Sequence, residues 1–120
     1  MRALNQDKVL SLLGLACKGR NLVSGEFQTI EAVKNGSAML VIISKDATSN
    51  TKKLFNNKCS FYEVPIYEYG AKEDLGRAIG KDLRSSLGVC DAGLASAIIK
   101  QLENVKDAAD GRNGGKHGEN

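Results

Sequence analysis

The chain has no tryptophan, one histidine, one proline and three cysteines among 120 residues. Each scarcity removes a class of function. The lone histidine, His117, sits in a polar, glycine-rich stretch near the C-terminus, where no shaped active site is expected. Without a second histidine, a Ser-His or Cys-His nucleophile has no support. Cys17, Cys59 and Cys90 are odd in number and widely spaced, with no CxxC pair or Cys/His cluster. Neither a zinc site nor a disulfide framework is indicated, and buried, reduced thiols acting as small hydrophobes are expected. GxGxxG and GxxxxGKS are both missing, which removes the usual phosphate cradles. No apolar run approaches the ~20 residues of a membrane span. The N-terminus, Met1-Arg2-Ala3-Leu4-Asn5-Gln6-Asp7-Lys8, lacks a signal-peptide pattern. A cytoplasmic protein with no membrane partner, no metal, no cofactor and no catalytic activity is therefore expected. Aromatics make up 5% of the chain, too few for a ladder that stacks single-stranded bases.

What remains is ordinary for one folded domain: 42% hydrophobic and 26% charged residues, with a net charge of +3. That charge permits an acidic partner without demanding one. Val9, Leu12, Leu13, Ala16 and Cys17 recur at helical spacing, predicting a first helix of about Asn5 to Lys18 stopped by Gly19. Asn21-Leu22-Val23 reads as a short strand. Ser24 reads as the cap of a second helix, about Gly25 to Asn35, with Phe27, Ile30 and Val33 toward the core and Gly36 in a left-handed stop. Met39 to Ile43 is a continuous apolar run suited to a strand buried on both faces. A third helix is expected at about Ser49 to Asn57. A strand at Val64 to Glu68 follows, with Pro65 confining its start to an edge. A helix at Lys72 to Gly80, a strand at Ser86 to Cys90 and a helix at Ala92 to Glu103 capped by Asp91 complete the pattern. Alternating helices and strands predict an α/β fold, a three-layer α/β/α sandwich on a central mixed sheet of about four strands. The domain should span 1–103. Residues 104–120 have almost no apolar content and read as a disordered polar tail.

Three loops combine cations with small hydrogen-bonding side chains, a composition suited to phosphate and sugar contacts. They are Lys18 to Gln28, Lys45 to Lys53 and Arg77 to Ser86. In the first, a glycine-led helix start presents free N–H groups and a partial positive charge, yet Glu26 and Glu31 bring negative charge to the same place. Asp46 lies just beyond the central strand, where open α/β sheets place ligands. The commoner role of such an aspartate is to satisfy its own turn.

Four segments resemble a known family. They are Leu12-Leu13-Gly14-Leu15-Ala16, Asn21 to Gly25, Gly36 to Ala47 and Leu75-Gly76-Arg77-Ala78-Ile79-Gly80. Together they are similar to the kink-turn RNA-binding ribosomal proteins of the L7Ae and L30e type, especially the small bacterial YlxQ-like branch. The resemblance spans about Val9 to Leu102. It implies a compact sandwich that grips structured RNA, ribosomal or kink-turn-containing; the chain's size and its lack of a coiled-coil or long apolar surface pattern make a monomer the expectation. The RNA contact implied by the resemblance falls on Gly25, Glu26, Phe27, Gln28 and Glu31. A second contact falls on the loop Leu83, Arg84, Ser85 and Ser86, with Asp46 and Ala47 in an abutting loop next to the cation Lys45. Lys18, Arg20 and Asn21 join as neighbouring cations and polar groups. Gly25 and Gln28 fit the family pattern. Phe27 stands where that family usually has Asn or Lys, and Glu31 where it commonly has Lys. A second expectation is thus a protein-interaction module on the same fold with weakened or lost kink-turn binding. A small-molecule role near Asp46 is a third.

Overall fold

The computed structural model describes residues 7–112. Among these residues five helices and four strands alternate: α1 Lys8–Lys18, β1 Leu22–Ser24, α2 Glu26–Lys34, β2 Leu40–Ile43, α3 Ser49–Tyr62, β3 Ile66–Glu68, α4 Lys72–Ala78, β4 Ser86–Val89 and α5 Ala92–Arg112. The strands form one sheet in the order β1-β4-β2-β3. β4 is antiparallel to both β1 and β2, with Leu22 opposite Val89 and Leu40 opposite the same residue on the other side. β2 and β3 are parallel, with Val41 beside Ile66. The sheet is mixed, as expected.

Strand alternation divides the core. Leu40 and Ile42 of β2 and Leu87 and Val89 of β4 pack against Val9, Leu13 and Ala16 of α1, Leu75 of α4 and Ala95, Ile98 and Leu102 of α5. Val41 and Ile43 face the other way, onto Ala32 and Val33 of α2 and Phe55 and Cys59 of α3. All four residues of β2 are buried, which is why that segment is apolar without interruption. Two helical layers around one sheet are the predicted α/β/α sandwich. Gly88 of β4 faces α2, and a Cβ there would lie 3.0 Å from Val23 Cγ2 and 3.3 Å from Thr29 Cγ2. The helix sits close to the sheet because this position has no side chain.

Several local expectations hold. Asp91 Oδ2 accepts from Leu94 N at the start of α5. Gly36 takes φ +86° after α2. Pro65 lies just outside edge strand β3, and its carbonyl accepts from Val41 N. Cys59 is buried as expected; Cys17 and Cys90, expected to be buried, are only half-buried.

Others are corrected. Ser24 is not the α2 cap; Gly25 takes that place with no side-chain bond, and Ser24 ends β1 with its hydroxyl engaged elsewhere. Phe27 is not core but 72% exposed, because Thr29, Ala32 and Val33 take the inward face of α2. α3 runs past Asn57 to Tyr62, since the buried Cys59 extends its apolar stripe by a turn. α5 continues beyond Glu103 to Arg112. Asn104 to Asp110 holds no glycine or proline, so helix propensity outlasts the apolar face. The rest of the expected tail, 113–120, lies outside the described residues, as does the predicted start of α1 at Asn5.

Candidate nucleic-acid interface

Because β1 and β2 both run antiparallel to β4, three loops emerge at one end of the sheet. They follow β1 at Gly25, follow β2 at Ser44 and precede β4 at Ser85. Backbone bonds stitch them together. Gly25 N donates to Ser86 O at 3.0 Å, Ser44 N to Ser85 O at 2.9 Å and Lys45 N to Gly70 O at 2.7 Å. The result is an open concavity of about 320 Å³ lined by Ser24, Gly25, Glu26, Thr51, Leu83, Arg84, Ser85 and Ser86.

Each side of this groove has a local cause. Gly25 adopts φ 92° and ψ 158°, a region that only glycine occupies without strain. Apart from its chain neighbours, nothing lies within 4 Å of where its Cβ would be, so the surface above it is open to a ligand. The other wall, Lys81 to Arg84, rests on α4. At Gly76 a Cβ would fall 1.8 Å from Asp82 O; any side chain would push this loop away. Gly80 turns the chain at φ +75°, and Lys81 N closes the turn on Gly76 O at 2.8 Å. Arg84 N then donates to Lys72 O at 3.1 Å.

Arg84 is the fixed cation of the groove. Its Nε donates to Ser24 Oγ at 3.1 Å and its Nη1 to Leu83 O at 2.8 Å. These bonds hold the guanidinium across the mouth between β1 and β4 and leave its remaining N–H groups for an anion, the geometry that suits arginine to phosphate. Leu83 beside it is 52% exposed.

Asp46 has a structural task. Its Oδ1 accepts from Lys72 N at 3.0 Å, tying the loop after β2 to the start of α4. The Ser44 hydroxyl, then the Lys72 N–H, hold its carboxyl below the usual carboxylate range. The bond reaches another segment rather than its own turn alone. Lys45 is exposed beside it.

The structure brings Gly25, Glu26, Leu83, Arg84 and Ser85 into one groove, flanked by exposed Phe27, Gln28 and Glu31 on α2. It separates Lys18, Arg20 and Asn21 from them. These precede β1 and lie at the opposite end of that strand, where Asn21 O accepts from Cys90 N at 2.7 Å. Adjacency along the chain had joined residues that a strand holds apart. Ser24 and Thr51 were missed as lining residues. Both are small polar residues in segments already rich in them, so composition alone could not single them out. Among the described residues no cluster of His, Cys, Asp or Glu could hold a metal, and no helix is long and apolar enough to cross a membrane.

Fold and groove define an α/β/α sandwich with an arginine-bearing, glycine-floored groove at one end of the sheet. Residues 7–99 match the ribosomal protein L7Ae/L30e/S12e/Gadd45 family, and the chain belongs to it. It is 42% identical over 92 residues to the RNA-binding protein YlxQ of Bacillus subtilis, covering 77% of this chain and 92% of that one. Identity is 36% with the RNA-binding protein YlxQ of Enterococcus faecium, over 82% of this chain and 95% of that one. A solved structure of a protein of unknown function from Bacillus halodurans superposes with a TM-score of 0.78 at 46% identity, covering 80% of this chain and 97% of that one.

Proposed function

We propose that this protein is a non-enzymatic RNA-binding protein that docks its groove against a structured, kink-turn-like RNA in the translation apparatus. The observation that carries this reading is the convergence of Ser24–Glu26 and Leu83–Ser86 around an immobilised Arg84. Arg84 and Lys45 neutralise phosphates, the open backbone at Gly25 admits close approach, and Gln28 pairs with the polar edge of a non-Watson–Crick pair. Membership of a family named for ribosomal proteins and identity to two RNA-binding relatives support it. The protein acts as a cytoplasmic monomer in this reading.

The test is binding to a kink-turn RNA and to a control with its G·A pairs replaced, across salt concentrations. Tighter binding to the intact RNA is expected. Arg84→Gln should weaken binding and reduce the salt slope by about one. Equal or absent binding to both RNAs would reject kink-turn recognition. A second reading, a protein-interaction module, is favoured by the exposure of Phe27 beside Glu26 and Glu31. It predicts that wild-type protein binds neither RNA and that Phe27→Lys with Glu31→Lys creates binding.

A further inference from the structure

The exposed face of α2 beside the groove has an unusual make-up. Phe27 is 72% exposed, on the side of α2 away from the inward face made by Thr29, Ala32 and Val33. Glu31 is one turn further along, and residues four apart are neighbours on a helix surface, with Cβ atoms about 5–6 Å apart. Lys34 Nζ sits 3.8 Å from Glu31 Oε2 and restrains the carboxylate from the far side. Glu26 is exposed on the same helix start. From Glu26 to Val33 this helix carries no cation. Across the groove the character reverses, with Arg84 fixed and Lys45 exposed.

This polarity sorts the parts of a nucleotide. A phosphate is repelled from α2 and attracted to the Arg84 wall. An uncharged base suffers no such repulsion, and its π-face matches an exposed aromatic ring. A carboxylate accepts hydrogen bonds and donates none, so Glu31 selects a base edge that presents donors. Guanine places its N1–H and N2–H₂ side by side, where two carboxylate oxygens can accept both. Adenine offers one amino group beside an acceptor nitrogen.

We propose that Phe27 and Glu31 form a base-reading platform on α2 that stacks one unpaired nucleobase of the bound RNA and selects guanine. The proposal rests on the RNA-binding reading above and specifies its readout: base stacking plus a carboxylate on α2, phosphate on Arg84. The two acidic groups that oppose a phosphate become the reason that a base sits there.

The test uses full-length protein and a kink-turn RNA in which each unpaired nucleotide in turn is guanine, adenine or abasic. At one of these positions wild-type protein should bind the guanine form about ten-fold tighter than the adenine form, the scale of a two-bond base contact, and the abasic form more weakly still. Phe27→Leu keeps an apolar side chain but removes the π-face. It should cost about ten-fold at that position and level the intact and abasic RNAs, while Phe27→Trp should retain binding. Glu31→Gln should erase the preference for guanine over adenine. Equal wild-type binding to guanine, adenine and abasic forms at every position, or undiminished binding by Phe27→Leu, would overturn the platform while leaving RNA binding intact. Failure of wild-type protein to bind any of these RNAs would instead reject the underlying function. Both side chains are exposed, so these variants keep the fold.

Discussion

At Gly25 one residue serves two purposes. Its φ of 92° and ψ of 158° turn β1 into α2, and its missing side chain leaves the groove floor open. Gly25→Ala should therefore cost about 1–3 kcal/mol of stability, measurable as a lower urea midpoint. It should also weaken RNA binding in buffer where the variant remains folded. The requirement for glycine here could be suspected from the sequence, since glycine before an amphipathic run is a recognised helix start. Arg84 was legible only as a cation among small residues. Its restraint by Ser24 Oγ joins positions 60 apart in sequence, and nothing local announces it. Ser24 was misread for the same reason: a serine before a helix is usually its cap, and here its hydroxyl faces an arginine from another loop.

At the level of elements, the Leu75-Gly76-Arg77-Ala78-Ile79-Gly80 segment builds half of the groove without touching its contents. α4 is a platform, and the loop from Lys81 to Leu83 lies directly on Gly76. With Asp82 O only 1.8 Å from a would-be Cβ, Gly76→Ala must displace backbone rather than the tip of a flexible side chain. A loss of about 1–3 kcal/mol or more follows from such overpacking. RNA affinity should fall with it, because Leu83 and Arg84 move; calorimetry on a folded sample separates that loss from unfolding. Most elements were legible because each carries its own period: 3.6 along α1, unbroken apolarity in β2, an aspartate cap before α5. Helix ends were less so. α3 and α5 both outrun their predicted stops, since no glycine or proline stands between Asn57 and Glu63, which ends α3 in a left-handed conformation, or between Glu103 and Asp110.

Across the whole molecule, β3 forms one edge of the sheet, and two tyrosines, Tyr67 within it and Tyr69 just after it, reach other elements. Tyr67 OH bonds Glu103 of α5, and Tyr69 OH donates to Asp7 Oδ1 at 3.0 Å, ahead of α1. The Glu103 bond, followed by burial, pushes the Tyr67 hydroxyl from its ordinary value near 10 up to about 12. For Tyr69, burial first and then the Asp7 bond raise it to about 12. A hydroxyl whose folded value is raised contributes stability that is fully present below pH 10 and is lost as pH rises toward 12. Thermal melts should fall across that window, and Tyr67→Phe with Tyr69→Phe should flatten the fall while lowering stability near neutrality.

Residue order alone determined the α/β class, the number of strands, the buried central strand and the region of the chain where the groove would form. These depend on periodicity and on glycine and cap chemistry, which are local. Only the tertiary structure decided which loops meet. Strand direction placed Gly25 with Arg84 and removed Lys18, Arg20 and Asn21 to the far end, because a strand turns sequence neighbours into opposite poles. It also decided that Phe27 faces solvent, because Thr29, Ala32 and Val33 occupy the inward face of α2 and Phe27 falls on the opposite side.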